Sequence, residues 1–232
     1  MKFVFFMLIL GTFFLGGCQS SLENKIWDNI AEVRQFMLLG QDEGISATLT
    51  CGMREIDYKI NGYATEVIEF GVITICLDDI DNIVYDKAEF VMFVGTKKYD
   101  GTLQLNPFDN TLVADIKEIV GKTQNITLEI YLDDERSYVL KLKPIDNEWA
   151  ITYDDCVKIF INKYKAELKS LISNGELEGE VYIKILNDYD GYANDFYYYV
   201  SLVGRKGEKI SIIVCPDTGN ILASSCTGIT KT

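Results

Sequence analysis

Apolar and polar residues alternate along much of the chain between residues 44 and 145, which is the period of half-buried β-strands. The clearest runs are Ile45–Cys51, Val67–Leu77, Ala88–Gly95, Ile126–Leu132 and Tyr138–Leu142. The segment Lys98–Thr102 has the composition of a hairpin turn. Short strands at this spacing, with little helical pattern between them, predict an antiparallel β-sandwich-like module over residues 44–146.

Two segments instead show helical spacing. Residues 20–23 have the S-x-x-E pattern of a capping box, and Ile26, Ile30, Val33 and Met37 then recur on one helical face. This pattern predicts a helix over residues 21–39. A second stripe runs from Val157 to Ile172, which predicts a helix that Asp154 or Asp155 caps and that ends at Asn174-Gly175.

The last third returns to strand patterns. The predicted strands are Glu180–Leu186, Asp195–Val203, Lys209–Cys215 and Asn220–Ala223. A helix followed by antiparallel strands predicts a layered module over residues 147–232. The fold class is therefore α+β, with an N-terminal antiparallel β-sandwich-like module followed by a module of helix plus antiparallel sheet.

The end of this module carries a family resemblance. The run Pro216-Asp217-Thr218-Gly219-Asn220-Ile221-Leu222, with the helix and three strands before it, resembles a PepSY-type domain over about residues 153–224. In this run Asp217 and Thr218 favour a turn, and Gly219 supplies a positive φ. The resemblance implies a binding or inhibitory role, and no catalytic residue follows from it.

The first residues resemble the signal of a bacterial lipoprotein. Lys2 precedes an apolar run from Phe3 to Leu15, and two glycines then lead to Cys18. The resemblance implies that residues 1–17 are removed and that Cys18 becomes the lipidated first residue, followed by the predicted helix within residues 18–43. It also implies attachment to the cell membrane on its extracytoplasmic face.

The amino-acid composition narrows the classes of molecule that could be partners. Hydrophobic residues make up 48% and charged residues 25% of the 232 residues, which is typical of a globular chain and not of a disordered one. The formal net charge of −13 disfavours nucleic acid and anionic lipid headgroups as partners. We therefore expect the lipid on Cys18 to supply membrane attachment, and a protein or peptide to be the partner.

Catalytic and metal chemistry find little support in the sequence. The chain has no histidine, which excludes Ser-His-Asp and Cys-His arrangements within it. Acidic residues cluster around Asp78–Asp86 and Asp188–Asp195, but neither cluster has the ligand spacing of a calcium loop. We predict no catalytic residue, no metal and no cofactor.

Five cysteines remain besides Cys18, so at least one thiol has no intramolecular partner. Cys51–Cys76 and Cys215–Cys226 are the candidate disulfides, because each pair joins segments that are close in sequence. The alternative is a set of reduced, mostly buried thiols.

A tyrosine-rich strand supplies the candidate binding residues. In an extended strand, Phe196 and Tyr198 share one face, whereas Tyr197 and Tyr199 share the other. Tyr197 and Tyr199 are therefore candidates for an exposed aromatic strip, and the alternative is that they form cross-strand pairs that stabilise the sheet.

These features predict a non-enzymatic protein that binds a protein or peptide, either by this strip or along an exposed sheet edge. Two alternatives stay open. One is a glycan-binding or glycan-processing protein that uses Tyr197, Tyr199 and nearby acidic residues, and the other is an inhibitor of an exported protease.

Overall fold

The fold is mostly antiparallel β-sheet with a few helices. The computed structural model describes residues 17–57, 59–78, 85–121, 126–133, 136–187 and 196–229, with side chains from Leu22 onward. Leu15 and Gly16 of the predicted lipobox and most of the acidic clusters, including Asp79 and Asp188, lie outside the described residues.

The helices of the described residues are α1 (Gly17–Trp27), α2 (Tyr153–Lys163) and α3 (Lys165–Ser170). The strands up to the middle of the chain are β1 (Ile30–Asp42), β2 (Ile45–Glu55), β3 (Val67–Leu77), β4 (Ala88–Val94), β5 (Lys97–Thr102), β6 (Gln104–Asn106), β7 (Thr111–Ile116), β8 (Ile126–Leu132) and β9 (Arg136–Pro144). The later strands are β10 (Ile172–Ser173), β11 (Glu176–Leu177), β12 (Gly179–Asn187), β13 (Phe196–Gly204), β14 (Lys209–Val214) and β15 (Ile221–Thr227).

These elements form two compact units whose boundaries cross the predicted modules. Unit 1 contains the described residues up to Val33, the segment Glu55–Val67 and the chain from Ala150 onward. Unit 2 contains Arg34–Arg54 and Ile68–Trp149. The predicted modules instead divide at residues 43 and 146.

The predicted helix over residues 21–39 is wrong beyond Trp27. The chain forms β1 from Ile30, and Ile30, Ala31 and Val33 are all buried. The apolar residues of β1 alternate irregularly with Glu32, Arg34 and Gln35, and Glu32 is buried beside Lys184. The polar positions therefore do not mark one exposed face of a strand, and the apolar positions also fit a helical period. Of the predicted helical face, only Ile26 lies in α1, where it is buried together with Leu22.

Unit 1 is a sheet with a helix against it. The strand order is β15-β14-β13-β12-β1, in which β1 pairs with β12 in parallel and the later strands pair antiparallel. Helix α2 buries its apolar face, including Val157 and Phe160, and contacts β13 and β14.

The ends of this helical region differ from the prediction. Thr152 is the N-cap, and its hydroxyl and backbone N–H complete a capping box with Asp155. The second of the two helices, α3, ends at Ser170. Asn174 and Gly175, where the helix was predicted to end, instead form the turn between β10 and β11, with φ of 51° and 85°.

Unit 2 is a continuous antiparallel sheet around one core. From β1 the sheet runs one way through β2, β3, β7 and β6, and the other way through β9, β8, β4 and β5. The link is a direct pairing of β9 with β1, at Leu38 opposite Pro144 and Leu39 opposite Lys143. Side chains from both directions, such as Leu49, Ile75, Met92 and Leu128, share the core.

The predicted turn at Lys98–Thr102 is wrong, because these residues belong to β5. The hairpin turns at Gly95, which has a φ of +60°. Glycine reaches this conformation without steric cost, so the turn falls earlier than the polar composition suggested.

Candidate functional site

The continuous sheet of unit 2 ends in two strand edges that face one cleft. In the part of the chain that the structure describes, β5 pairs only with β4, and β6 pairs only with β7. The short β6 covers β7 from Thr111 to Val113, so Ala114–Ile116 have β3 on one side and no strand on the other. Main-chain donors and acceptors therefore line both sides of the gap between β5 and β7.

The hydrogen-bond pattern shows which groups of β5 point into this gap. Leu103 donates its backbone N–H to the carbonyl of Ala88 at 2.8 Å, so the backbone N–H of Leu103 points toward β4. Because orientation alternates along an antiparallel strand, the N–H and C=O groups of Asp100 and Thr102 point away from β4. They face the cleft side of β5.

The cleft has a volume of about 460 Å³, which lies within the range of ligand-binding pockets. Its apolar lining includes Val72, Phe90 and Ala114, and its charged lining consists of Arg54, Asp100 and Asp115. Phe90 and Ala114 are buried, whereas Asp100 and Asp115 are exposed on opposite sides of the gap. The arrangement is an apolar floor between polar rims.

A glycine in β5 allows this floor to form. A Cβ at Gly101 would lie 3.0 Å from Cε1 of Phe90, which is tighter than an ordinary contact. The missing side chain thus lets the Phe90 ring lie against the backbone of the edge strand.

Arg54 has a fixed position on one rim. Its Nη2 donates to Oδ1 of Asp115 at 3.1 Å, and its guanidinium carbon lies 4.8 Å from the ring centroid of Phe70. The stacking on Phe70 and the hydrogen bond to Asp115 together orient the guanidinium and the carboxylate.

An ion pair spans the far end of the gap. Lys97 at the start of β5 donates to both carboxylate oxygens of Glu118, which follows β7, at 2.7 and 2.8 Å. This hydrogen bond raises the pKa of Lys97 and lowers the pKa of Glu118. The pair lies at the end of the cleft. Because both side chains are exposed, it contributes little to the stability of the fold.

The predicted strip of Tyr197 and Tyr199 lies in unit 1, whereas the cleft belongs to unit 2. Both side chains are half-buried in β13, between β12 and β14. Tyr199 is opposite Lys184 and Ile213, and Tyr197 is opposite Leu186. The cross-strand interpretation describes this arrangement better than an exposed strip.

Neither candidate disulfide is formed in the structure, where Cys51, Cys76, Cys156, Cys215 and Cys226 are free thiols. Cys226 lies opposite Ile210, whereas Cys215 follows Val214 at the other end of β14. The two are about five strand residues apart, or about 16 Å at the rise of a strand. A disulfide requires Cα atoms less than about 7 Å apart.

Cys215 has a different environment from the buried cysteines. A hydrogen bond with the Thr218 hydroxyl, and backbone N–H groups of Asp217 and Thr218, lower the pKa of its thiol. Burial raises the pKa of Cys51 to about 11 and that of Cys156 to about 12.

Comparison with known proteins identifies no relative. No family model, no curated protein and no solved structure matches the chain. The PepSY-like and lipoprotein resemblances therefore stay predictions from the sequence.

Within the described ranges, no group of three or more cysteines and carboxylates is arranged to hold a metal ion. No helix there has both the length and the apolar character needed to span a membrane.

The cleft was not predicted from the sequence, because only a few residues of the chain indicate the edge strand that borders it. Lys97 and Lys98 are the kind of charges that protect edge strands, and Gly101 interrupts the strand pattern. Both were consistent with a turn, and only the pairing of the strands showed that they form an edge.

Proposed function

We propose that this chain is a non-enzymatic binding protein that takes an extended peptide segment of a protein partner into the cleft between β5 and β7. One observation carries this proposal: two strand edges without strand partners in the described chain face the same apolar-floored cleft. Extended peptides commonly bind proteins by adding a strand to such an edge.

The recognition would follow the chemistry of a sheet. The outward N–H and C=O groups of Asp100 and Thr102 pair with the peptide backbone, which supplies affinity without sequence preference. Because alternate side chains of a strand point to opposite faces, every second residue of the peptide meets the floor formed by Val72 and Phe90.

The experiment uses the full chain in detergent and short, terminally blocked peptides of alternating valine and serine. Hydrogen exchange of individual amides is measured with and without peptide. We expect slower exchange at Asp100, Thr102 and residues 114–116. Peptides with the same side chains but alternate N-methylated amides are the matched control, because they cannot pair with a strand edge.

A variant tests the same edge from the protein side. Thr102→Pro removes an outward N–H without removing a bond to β4, so it should weaken peptide binding and leave the fold intact. If no unmodified peptide slows exchange at β5 or β7, the proposed function is wrong.

We also propose that the chain is a lipoprotein, anchored by lipid on Cys18 at the extracytoplasmic face of the cell membrane. The motif Leu15-Gly16-Gly17-Cys18 supports this proposal. Mass spectrometry of the N-terminal peptide tests it, since Cys18→Ser should abolish the lipid and release the chain from membranes. An unmodified cysteine on a membrane-bound wild-type chain would contradict it.

The finer fold assignments belong to the same proposal. We propose that residues 44–146 form a β-sandwich-like arrangement of strands and that residues 153–224 form a PepSY-like one, a class associated with binding. The strand-rich pattern of the first and the helix-plus-sheet order of the second support this assignment.

A further inference from the structure

The last strand of unit 1 is an edge strand without the usual protection. Within the described residues, β15 pairs with β14 and with no other strand. Its seven residues, Ile221–Thr227, include no charged residue and no proline, and all seven are exposed. Proteins usually protect such an edge with charges or proline, because an unprotected edge pairs with a further strand. The edge strand β5, by contrast, carries Lys97, Lys98 and Asp100.

The hydrogen-bond pattern shows which main-chain groups of β15 point outward. The Gly204 N–H donates to the Glu208 carbonyl at 2.8 Å, which makes these residues a hydrogen-bonded pair at the ends of β13 and β14. Because orientation alternates along an antiparallel strand, the main-chain groups of Ser211 point toward β15, where Ser225 lies opposite. Ser224, the residue before Ser225, therefore directs its N–H and C=O away from the sheet.

The strand is held from its inner side. Tyr164, between α2 and α3, donates its hydroxyl to the Ser225 carbonyl at 3.1 Å. Ser225 belongs to the residues that face β14, so this bond fixes the strand without using the outward groups of Ser224. A strand that is already fixed loses little conformational entropy when a further strand pairs with it.

The charges at the two ends of β15 are of opposite sign. The Thr227 end lies opposite the start of β14, where cations outnumber carboxylates: Arg205, Lys206, Glu208 and Lys209. The Ile221 end follows the turn that contains the exposed Asp217. Antiparallel pairing of two copies of this chain along β15 places the basic end of each copy beside the acidic end of the other. The charges therefore favour a second copy in this orientation.

The uncharged strand is also where two copies approach at least cost. With a formal net charge of −13, two copies repel each other over the surface as a whole. Full overlap of the two strands places Ser224 opposite Ser224 of the partner subunit, and their outward groups then face each other as a hydrogen-bonded pair requires. Such a pairing has twofold symmetry, so it closes as a dimer and does not continue into a filament.

We propose that β15 is a dimer interface, at which it pairs antiparallel with β15 of a second copy of this chain, with Ser224 on the twofold axis. The dimer goes beyond the proposed peptide binding and does not depend on it, because β15 belongs to unit 1 and the cleft belongs to unit 2.

The test follows hydrogen exchange of individual amides in the full chain in detergent as the protein concentration rises. Pairing of one short edge is a small interface, and interfaces below about 1,200 Å² are weak, so the range runs from about 5 to about 500 µM. We expect the Ser224 amide to exchange more slowly at high concentration, whereas the Ser225 amide, which already faces β14, changes less. Light scattering should show the protein mass doubling over the same range.

A charge on the strand should weaken the dimer. Ser224→Lys places two ammonium groups opposite each other at the twofold axis, and we expect the dissociation constant to rise about five- to tenfold. Ser137→Lys is the matched control, because Ser137 is an exposed residue of β9 in unit 2. Both variants lower the net negative charge, so an effect of the whole-molecule charge would strengthen the dimer in both.

A second variant tests the register. Opposite residues of a hydrogen-bonded pair have Cα atoms about 5.5 Å apart, which is within the range of a disulfide. Ser224→Cys should therefore form a covalent dimer with oxidised glutathione faster than Ser137→Cys, since the native thiols are the same in both variants.

Each contrary result would overturn the dimer. These results are unchanged exchange at Ser224 over the whole concentration range, equal weakening by Ser137→Lys, and equal disulfide formation by the two cysteine variants. Slower exchange at Ser224 that is caused by the alternating valine and serine peptide, and not by added protein, would assign the edge to a peptide instead. Peptide protection at β5 and β7 is read at other residues, so the two proposals fail separately.

Discussion

At the scale of single residues, a buried ion pair shows that the pairing of strands brings residues distant in sequence into contact. Glu32 of β1 is 4% exposed, and its Oε2 lies 2.8 Å from Nζ of Lys184 in β12. The Lys184 ammonium also lies 5.3 Å from the ring centroid of Tyr182. The parallel pairing of β1 with β12 brings these residues together, although about 150 positions separate them in the sequence.

Breaking this pair from one side should be costly. Lys184→Met removes the ammonium beside the buried Glu32 carboxylate, and we expect a loss of about 3–5 kcal/mol in the free energy of unfolding. Denaturant unfolding measures this loss. The double variant Glu32→Gln with Lys184→Met should recover much of it, because the buried charge is gone. An additive double variant would contradict this account.

The Cys215 turn makes a second residue-scale prediction. The lowered pKa gives Cys215 a larger thiolate fraction at a given pH than Cys51 or Cys156, so iodoacetamide should alkylate Cys215 before either of those two cysteines in the folded protein. Peptide mass spectrometry after timed quenching follows the reaction.

Thr218→Val tests the cause. Losing the hydroxyl raises the pKa of Cys215, so alkylation below that pKa should slow, whereas reactivity at high pH should be nearly unchanged. Alkylation of Cys51 at the rate of Cys215 would show that burial does not control these thiols.

At the scale of elements, the segment Glu55–Val67 is placed by close backbone contact within unit 1. A Cβ at Gly62 would lie 2.7 Å from the backbone N and Cα of Arg205, and Gly62 has a φ of +80°. The Arg205 guanidinium lies 4.5 Å from the Tyr63 ring centroid, next to this contact. The segment therefore packs directly on the turn after β13.

Gly62→Ala should detach this segment. Its cost combines the strain of a positive φ with a backbone clash, and we expect faster hydrogen exchange at residues 61–66 and a lower free energy of unfolding. Gly207→Ala is the matched control, because Gly207 has a φ of +86° with nothing within 4 Å of its added Cβ. An equal effect of the two variants would mean that strain alone acts.

At the scale of the whole molecule, the units are built from distant parts of the chain. Unit 1 uses Ile30–Val33 of β1 next to β12, and the Val181 N–H donates to the carbonyl of Asn29 at 2.8 Å. A module boundary drawn at residue 146 would separate these neighbours.

Cutting the chain at that boundary should therefore not separate two folded modules. A protease site inserted between Asp146 and Asn147, in a turn that is partly exposed, should be cleaved while both pieces co-elute in size exclusion. The piece 147–232 expressed alone should lack cooperative unfolding, since it lacks Leu22, Ile26 and Ile30 of the unit 1 core. A cooperative transition of that piece would contradict this division.

Much of the strand and helix content could be predicted from local pattern. Val67–Leu77 forms a strand with the predicted bounds, and the apolar stripe from Val157 lies in a helix as predicted, although the N-cap of that helix is Thr152 and not Asp154 or Asp155. The first helix was overpredicted because the polar residues of β1, such as the buried Glu32, do not lie on one exposed face, so the strand lacks the alternation of a half-buried strand.

The candidate site was harder to predict than these elements. Tyr197 and Tyr199 stood out as a local cluster of aromatic residues, but their strand lies between two neighbours and leaves them half-buried. Arg54, Phe90, Asp100 and Asp115 come from four different strands, and no local pattern connects them.

The sequence by itself determined the alternation of buried and exposed positions, the strongly acidic surface and the candidate lipidation motif. These properties depend on residue type and on neighbours a few positions away. The tertiary structure alone decided that β1 pairs with β12, that β5 and the end of β7 form sheet edges, and that two carboxylates face one cleft. Such features arise from pairing between distant strands, whose partners local periodicity does not specify.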